Sequence, residues 1–217
     1  MCFSAPASFA AAAITGAIGL ASVAKAEERR ALPLAAMPVL FSAQQFIEGL
    51  LWLQLPVAPE GAEASALTLL FLLFAVVLWP VYAPVCVLLV EPAGWRRVVM
   101  GALALAGGII AIYFIDALLV LEHRASILGG HIFYEVPRRS PPWVAVTYLV
   151  ATCVPLLISS HRPVQVLGAI VTAGALISYA FYWQAFASVW CFFAAAASIV
   201  LYHHFASEAR ERQAARR

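Results

Sequence analysis

The stretch that decides the fold runs from Ala66 to Val90, ALTLLFLLFAVVLWPVYAPVCVLLV, without a single Asp, Glu, Lys or Arg. As a helix, about twenty apolar residues cross the roughly 30 Å hydrocarbon core of a bilayer, and this run is long enough to do so with some tilt. Pro80 and Pro84 lie inside it. Such prolines are tolerated in membrane helices because neighbouring helices satisfy the freed carbonyls.

Working outward, comparable runs fall at about Ala5–Ala24, Leu32–Leu55, Val98–Val120, Trp143–Ser159, Val164–Trp183 and Ala185–Phe205. The whole chain of 217 residues is 64% hydrophobic and 11% charged, where a soluble domain carries roughly 25% charge. Only helices or closed barrels span lipid, and the period-two alternation of barrel strands is missing. The expectation is an all-α, polytopic transmembrane bundle of about seven helices over residues 1–206, with 207–217 as a basic cytoplasmic tail. No separate soluble domain fits. The net charge is only +2 and the basic residues sit at helix ends, so nucleic acid is not an expected partner. Lys25 is the single lysine, and a last span without lysine excludes a retinal Schiff base.

Basic residues in the short loops set the orientation. With the N-terminus outside, the cytoplasmic loops and tail collect ten of the thirteen: Lys25, Arg29, Arg30, Arg96, Arg97, Arg162, Arg210, Arg212, Arg216 and Arg217. The outside keeps Arg124, Arg138 and Arg139. This places the C-terminus in the cytoplasm and makes the chain a multi-pass membrane protein. A cleaved signal peptide ending near Ala24-Lys25-Ala26 is the competing reading, but no positive n-region precedes the first apolar run. The tail from Ser207 reads as a frayed amphipathic extension near anionic headgroups. Leu121 to Pro142 is the one long connection, a length typical of lids and binding segments, with Gly129-Gly130 allowing a tight turn. Spans one to three and five to seven share an orientation, the layout of a parallel-repeat transporter. Internal sequence similarity is poor beyond Leu51-Trp52-Leu53-Gln54 against Phe181-Tyr182-Trp183-Gln184, so a repeat is not the expected architecture.

Ionisable groups within spans are costly and point to function. Glu48 lies about two turns below the outer end of the second span, with Gln44, Gln45 and Trp52 at spacings of three and four on nearly the same face. Asp116 is nearer the outer end of the fourth span. Pro80 and Pro84 displace the carbonyls four residues earlier, those of Val76 and Pro80, and Pro155 raises the same question in the fifth span. Cys2 becomes N-terminal if Met1 is removed, which puts a thiol beside a free amine: a nucleophile with its own base, or a soft bidentate ligand. His123 and His131 share its side of the membrane, and Cys191 lies about two turns inside the last span. Cys2, Glu48, His131 and Cys191 form a thiolate, imidazole and carboxylate set suited to Zn or Cu. Gln44, Gln45, Trp52, Trp79 and Tyr134 are the expected pocket walls. A disulfide from Cys2 to Cys191 is a further reading, and Cys86 and Cys153 also fit as small buried hydrophobes. On the cytoplasmic side His161, His203 and His204 end facing spans, as haem or metal ligands or as snorkelling and capping groups. Ser188, Cys191, Ser198 and Tyr202 form a polar stripe with Ala194 and Ala195, a pattern of close helix packing.

The sequence resembles a bacterial family of small membrane proteins of unknown function that open Met-Cys-Phe-Ser-Ala-x-Ala-Ser-Phe. The matching pieces are Met1-Cys2-Phe3-Ser4-Ala5, Gln44-Gln45 with Glu48-Gly49 and Trp52, and Leu78-Trp79-Pro80. They continue with Leu128-Gly129-Gly130-His131-Ile132, Ala151-Thr152-Cys153, Ser159-Ser160-His161 and Val189-Trp190-Cys191-Phe192-Phe193. The resemblance implies the seven-helix architecture, brings no activity, and weights Cys2, Glu48, His131 and Cys191 above His123 and Asp116.

The leading expectation is a binding protein with a metal or small-ligand site in the outer half, closed by the long outer loop. Two alternatives stay open: a membrane enzyme using Cys2 or a metal-activated water with Glu48 as base, and a transporter whose path passes Glu48 and the third span. Expected partners are the lipid bilayer and either further copies of the chain or a larger membrane complex.

Overall fold

The computed structural model describes residues 4–135, 140–181 and 186–215. Helices make almost all of it: α1 (Ala5–Lys25), α2 (Leu32–Gln54), α3 (Ala62–Leu72), α4 (Trp79–Val90), α5 (Trp95–Val120), α6 (Pro142–Ile158), α7 (Arg162–Phe181), α8 (Phe186–Ala197) and α9 (Ile199–Ala215). A π-helical segment, Leu73–Leu78, fuses α3 and α4 into one rod, and α8 runs into α9 through Ser198. Six rods are long and apolar enough to cross a membrane, and α6 is a shorter apolar seventh. The all-α polytopic bundle expected from the sequence is therefore the fold, with boundaries within a few residues of the apolar runs except at the last, where the helix continues past Phe205 to Ala215.

Each end of the bundle has its own character. α1 starts, α2 ends, α3 starts and α5 ends at a face capped by a small hairpin, β1 (Arg124–Leu128) and β2 (His131–Glu135). The hairpin is what the long connection becomes. Gly129 and Gly130 both take positive φ, 57° and 78°, as a two-residue turn between twisted strands requires and side chains resist. Its register pairs Ala125 with Tyr134 and Ile127 with Ile132 on the face turned to the bundle. Arg124 pairs with Glu135 and Leu128 with His131 on the other face. Ala125 and Ile132 pack with Leu51, Leu55 and Phe71, so the cap is fastened to α2 and α3.

At the opposite, arginine-rich end the tail does not fray: α9 continues as helix to Ala215. Arg212 holds it down, donating to the carbonyl of Lys25 at 3.1 Å and lying 3.5 Å from Glu27 and from Glu208. The chain thus uses the C-terminal carbonyls of α1 as acceptors for a guanidinium.

α2 is one of the two most enclosed rods, with the α8–α9 rod, whereas α5 is the most exposed. That enclosure lets α2 carry Gln44, Gln45 and Glu48 away from lipid. α5 instead faces lipid over most of its surface and touches the bundle closely at Gly107, where an added Cβ would lie 1.8 Å from the carbonyl oxygen of Pro80.

The π segment has a local cause. Pro80 offers no N–H, so a regular helix would orphan the carbonyl of Val76. In the observed segment the N–H of Trp79 reaches back to Phe74, five residues away. That register assigns Ala75 to Pro80, which has no donor. The hydroxyl of Tyr148, from α6, donates to Ala75 instead. The carbonyl that the proline frees is thus that of Ala75, one residue before the expected Val76.

Candidate functional site

Two polar layers occupy the hairpin half of the bundle, both built on α2. In the deeper one Gln44 uses both ends of its amide. Its Oε1 accepts from Trp79 Nε1 at 2.7 Å, and its Nε2 donates to Cys191 Sγ at 3.1 Å. Trp79 also stacks on Phe41 with ring centroids 4.0 Å apart. These contacts tie α2, α4 and α8 together at one level. Cys191 carries a free thiol, and Cys2, its partner in the disulfide reading, lies outside the described residues.

One turn nearer the hairpin is Glu48, with 0% exposure. Gln45 Nε2 lies 3.3 Å from one carboxylate oxygen, and the Tyr134 hydroxyl lies 3.4 Å from the other. Tyr134 is placed by stacking on Phe71, 4.1 Å away and within 1° of parallel. A buried carboxylate needs donors of this kind, since burial without them is expensive.

Around this carboxylate, polar capacity is left over. Gln45 is 1% exposed and Ser8 0%. The Oε1 of Gln45, the Oγ of Ser8 and the Nε1 of Trp52 are covered and have no hydrogen-bond partner among the described residues. Ser8 belongs to the same layer by register. Phe9 lies against Gly49 and 5.4 Å from the ring of Phe46, and Ser42 donates to the carbonyl of Ala12 at 2.7 Å. In this antiparallel pair Ser8 sits level with the turn of α2 that holds Glu48. Trp52 stands one turn above Glu48 on the same face.

The expected metal set is only partly assembled. Glu48 and Cys191 sit on neighbouring layers with Gln44 between them, and the Cys191 thiol is engaged by that amide. His131 shares strand β2 with Tyr134, but the alternation of the strand directs it to the other face. Burial lowers its imidazole pKa below the usual value, favouring the neutral form that can ligate a metal. Cys2 lies outside the described residues, as do Arg138, Arg139, Tyr182, Trp183 and Gln184. Among the described residues no three His, Cys, Asp or Glu side chains gather within reach of one metal ion.

Of the down-weighted pair, Asp116 is exposed and His123 partly buried. Cys86 and Cys153 are buried among apolar side chains, as small hydrophobes. Beyond Trp79, a cavity of about 30 Å³ is lined mainly by apolar and aromatic groups, Met37, Phe41, Tyr148 and Trp190 among them. The polar chain from Glu48 does not continue through it.

A second cluster, at the arginine-rich end, has its key residue in a place the sequence does not flag. Glu91 is 2% exposed and accepts from the hydroxyl of Ser159 at 2.9 Å and the N–H of Ser160 at 3.0 Å. From the end of α4 it thereby holds the turn between α6 and α7. His161 Nε2 lies 3.2 Å from the carbonyl of Val90, and its ring centroid is 6.4 Å from that of His204. His204 meets Glu208 at 3.4 Å, while His203 is exposed. These imidazoles serve as capping and pairing groups. The signal that leads to Glu91 is the Ser159-Ser160-His161 turn, whose N–H groups need an acceptor.

The family model described as "Family of unknown function (DUF6629)" matches residues 1–217, and the chain belongs to this family. No curated protein and no solved structure matches the chain.

Proposed function

We propose that this family member is a membrane-embedded binding protein that takes a small ligand at its hairpin end, with Glu48 as the central contact. Gln44, Gln45, Trp52 and Tyr134 form the walls, and Trp79 closes the floor through Gln44. One observation carries the reading: a fully buried carboxylate lies at the level of the covered polar atoms of Gln45, Ser8 and Trp52, which have no hydrogen-bond partner among the described residues. Buried polar atoms without partners are costly, and a ligand that supplies donors and acceptors removes that cost. The hairpin, whose Tyr134 hydroxyl lies 3.4 Å from Glu48, covers this end of the site and would move to admit it.

A metal ion, Zn or Cu, is the ligand that the residue types favour. It requires Cys2 as a thiolate beside Glu48, His131 turned inward from the opposite face of β2, and Cys191 joining after release from Gln44. The basic residues support an orientation with the N-terminus outside and the C-terminus in the cytoplasm of a bacterial inner membrane, which places the site on the outer side.

Protein purified in mild detergent without chelator, then assayed for Zn and Cu per chain, tests the metal form. Stoichiometric metal in the wild type that disappears in Cys2→Ser supports it. A wild type without metal, or a Cys2→Ser variant that retains as much, eliminates it and leaves an organic ligand at Glu48.

A further inference from the structure

A second recess on the hairpin end has no part in the Glu48 site. A cavity of about 480 Å³ opens between the α2–α3 connection, α3 and the C-terminal turn of α5. Its mouth carries both signs of charge. Arg124 lies 3.0 Å from Glu60 and 3.3 Å from Glu122, and all three side chains are more than half exposed. Among the described residues, two carboxylates against one guanidinium leave a negative excess.

The C-terminus of α5 adds to that excess. The helix has no basic residue in its last turn, and Leu121 N–H satisfies only the carbonyl of Ala117. The carbonyls that follow keep the partial negative charge of a helix end. His123 stands in the cavity wall with both ring nitrogens covered and no hydrogen-bond partner among the described residues. A group brought in by a ligand lowers the cost of that burial.

Below the mouth lies an apolar track. Leu105, Ile109, Ile112, Ile115 and Leu119 are all exposed and follow one another at intervals of three and four along α5. They form one stripe leading from the cavity toward the membrane interior.

We propose that this cavity is a phospholipid site selective for a zwitterionic headgroup bearing a primary amine. The ammonium sits against Glu60, Glu122 and the last carbonyls of α5, the phosphate against Arg124, and an acyl chain lies along the Leu105–Leu119 stripe. The negative excess discriminates against a headgroup that carries only a phosphate charge. Detergent alone would cover the stripe equally well, but it has no charges to match the mouth.

Native mass spectrometry of the full-length protein, equilibrated with equal amounts of phosphatidylethanolamine and phosphatidylglycerol of identical chains, tests this. The wild type is expected to retain the ethanolamine lipid about tenfold more, the effect of one or two charge-assisted hydrogen bonds. The double variant Glu60→Gln, Glu122→Gln is expected to lose that preference, and Arg124→Gln to weaken retention of both lipids. Circular dichroism checks that these exposed-rim variants keep their helices. Equal retention of the two lipids by the wild type overturns the proposal without any variant. A preference that persists in the folded double variant overturns it as well.

Discussion

Gln44 shows how a single polar residue can fix a membrane core. Its amide accepts from Trp79 and donates to Cys191, so each partner depends on it. Replacing it with leucine keeps the volume but strands the indole N–H of Trp79 in the core, at a cost of about 1–3 kcal/mol. Thermal unfolding in detergent should show the loss, and adding Trp79→Phe should recover part of it because the stranded donor is then gone. A second residue-scale test concerns Gly107. A methyl group there meets the Pro80 carbonyl oxygen at 1.8 Å, whereas at Gly108 it meets nothing within 4 Å. Gly107→Ala is expected to destabilise by about 1–3 kcal/mol through overpacking. Gly108→Ala should be neutral or stabilising by up to about 1 kcal/mol through helix propensity. Equal effects at the two positions would contradict the close crossing of α4 and α5.

The π segment gives the sharpest test among the elements. Tyr148→Phe leaves the Ala75 carbonyl without its donor and is expected to cost about 1–3 kcal/mol. Pro80→Ala restores a backbone N–H, so the double variant should lose less than the two single losses added together. Strict additivity would mean that Tyr148 and Pro80 do not act on the same carbonyl. The sequence displays both prolines but not this outcome. Which carbonyl is freed depends on whether the helix shifts register, and that depends on a tyrosine from another helix. The hairpin was legible in the same partial way. Gly129-Gly130 marks the turn, but strands of five residues, Arg124–Leu128 and His131–Glu135, are too short for their alternation to stand out from a loop. Gly130→Val should unseat the cap, because valine resists positive φ, and hydrogen exchange in residues 124–135 should rise while that in α5 is unchanged.

The number and placement of the spans follow directly from hydropathy, since only helices of that length satisfy their backbone in lipid. Gln44, Gln45 and Glu48 stand out for the same reason. What the sequence hides is partnership: Tyr134 on Glu48, Tyr148 on Ala75 and Glu91 on the α6–α7 turn all join elements distant along the chain. Orientation has its own test in a Cys2→Ser background. A membrane-impermeant thiol reagent should label Glu60→Cys in intact cells, and Arg210→Cys only after the membrane is opened. The reverse pattern would move the Glu48 site to the cytoplasmic side. The central claim, that the hairpin end binds a small ligand at Glu48, is met most directly by native mass spectrometry of protein released gently from its membrane. The wild type should carry a discrete non-covalent mass that Glu48→Gln, folded to the same helical content, has lost. Wild type and Glu48→Gln spectra with the same adducts, or with none, would contradict the claim.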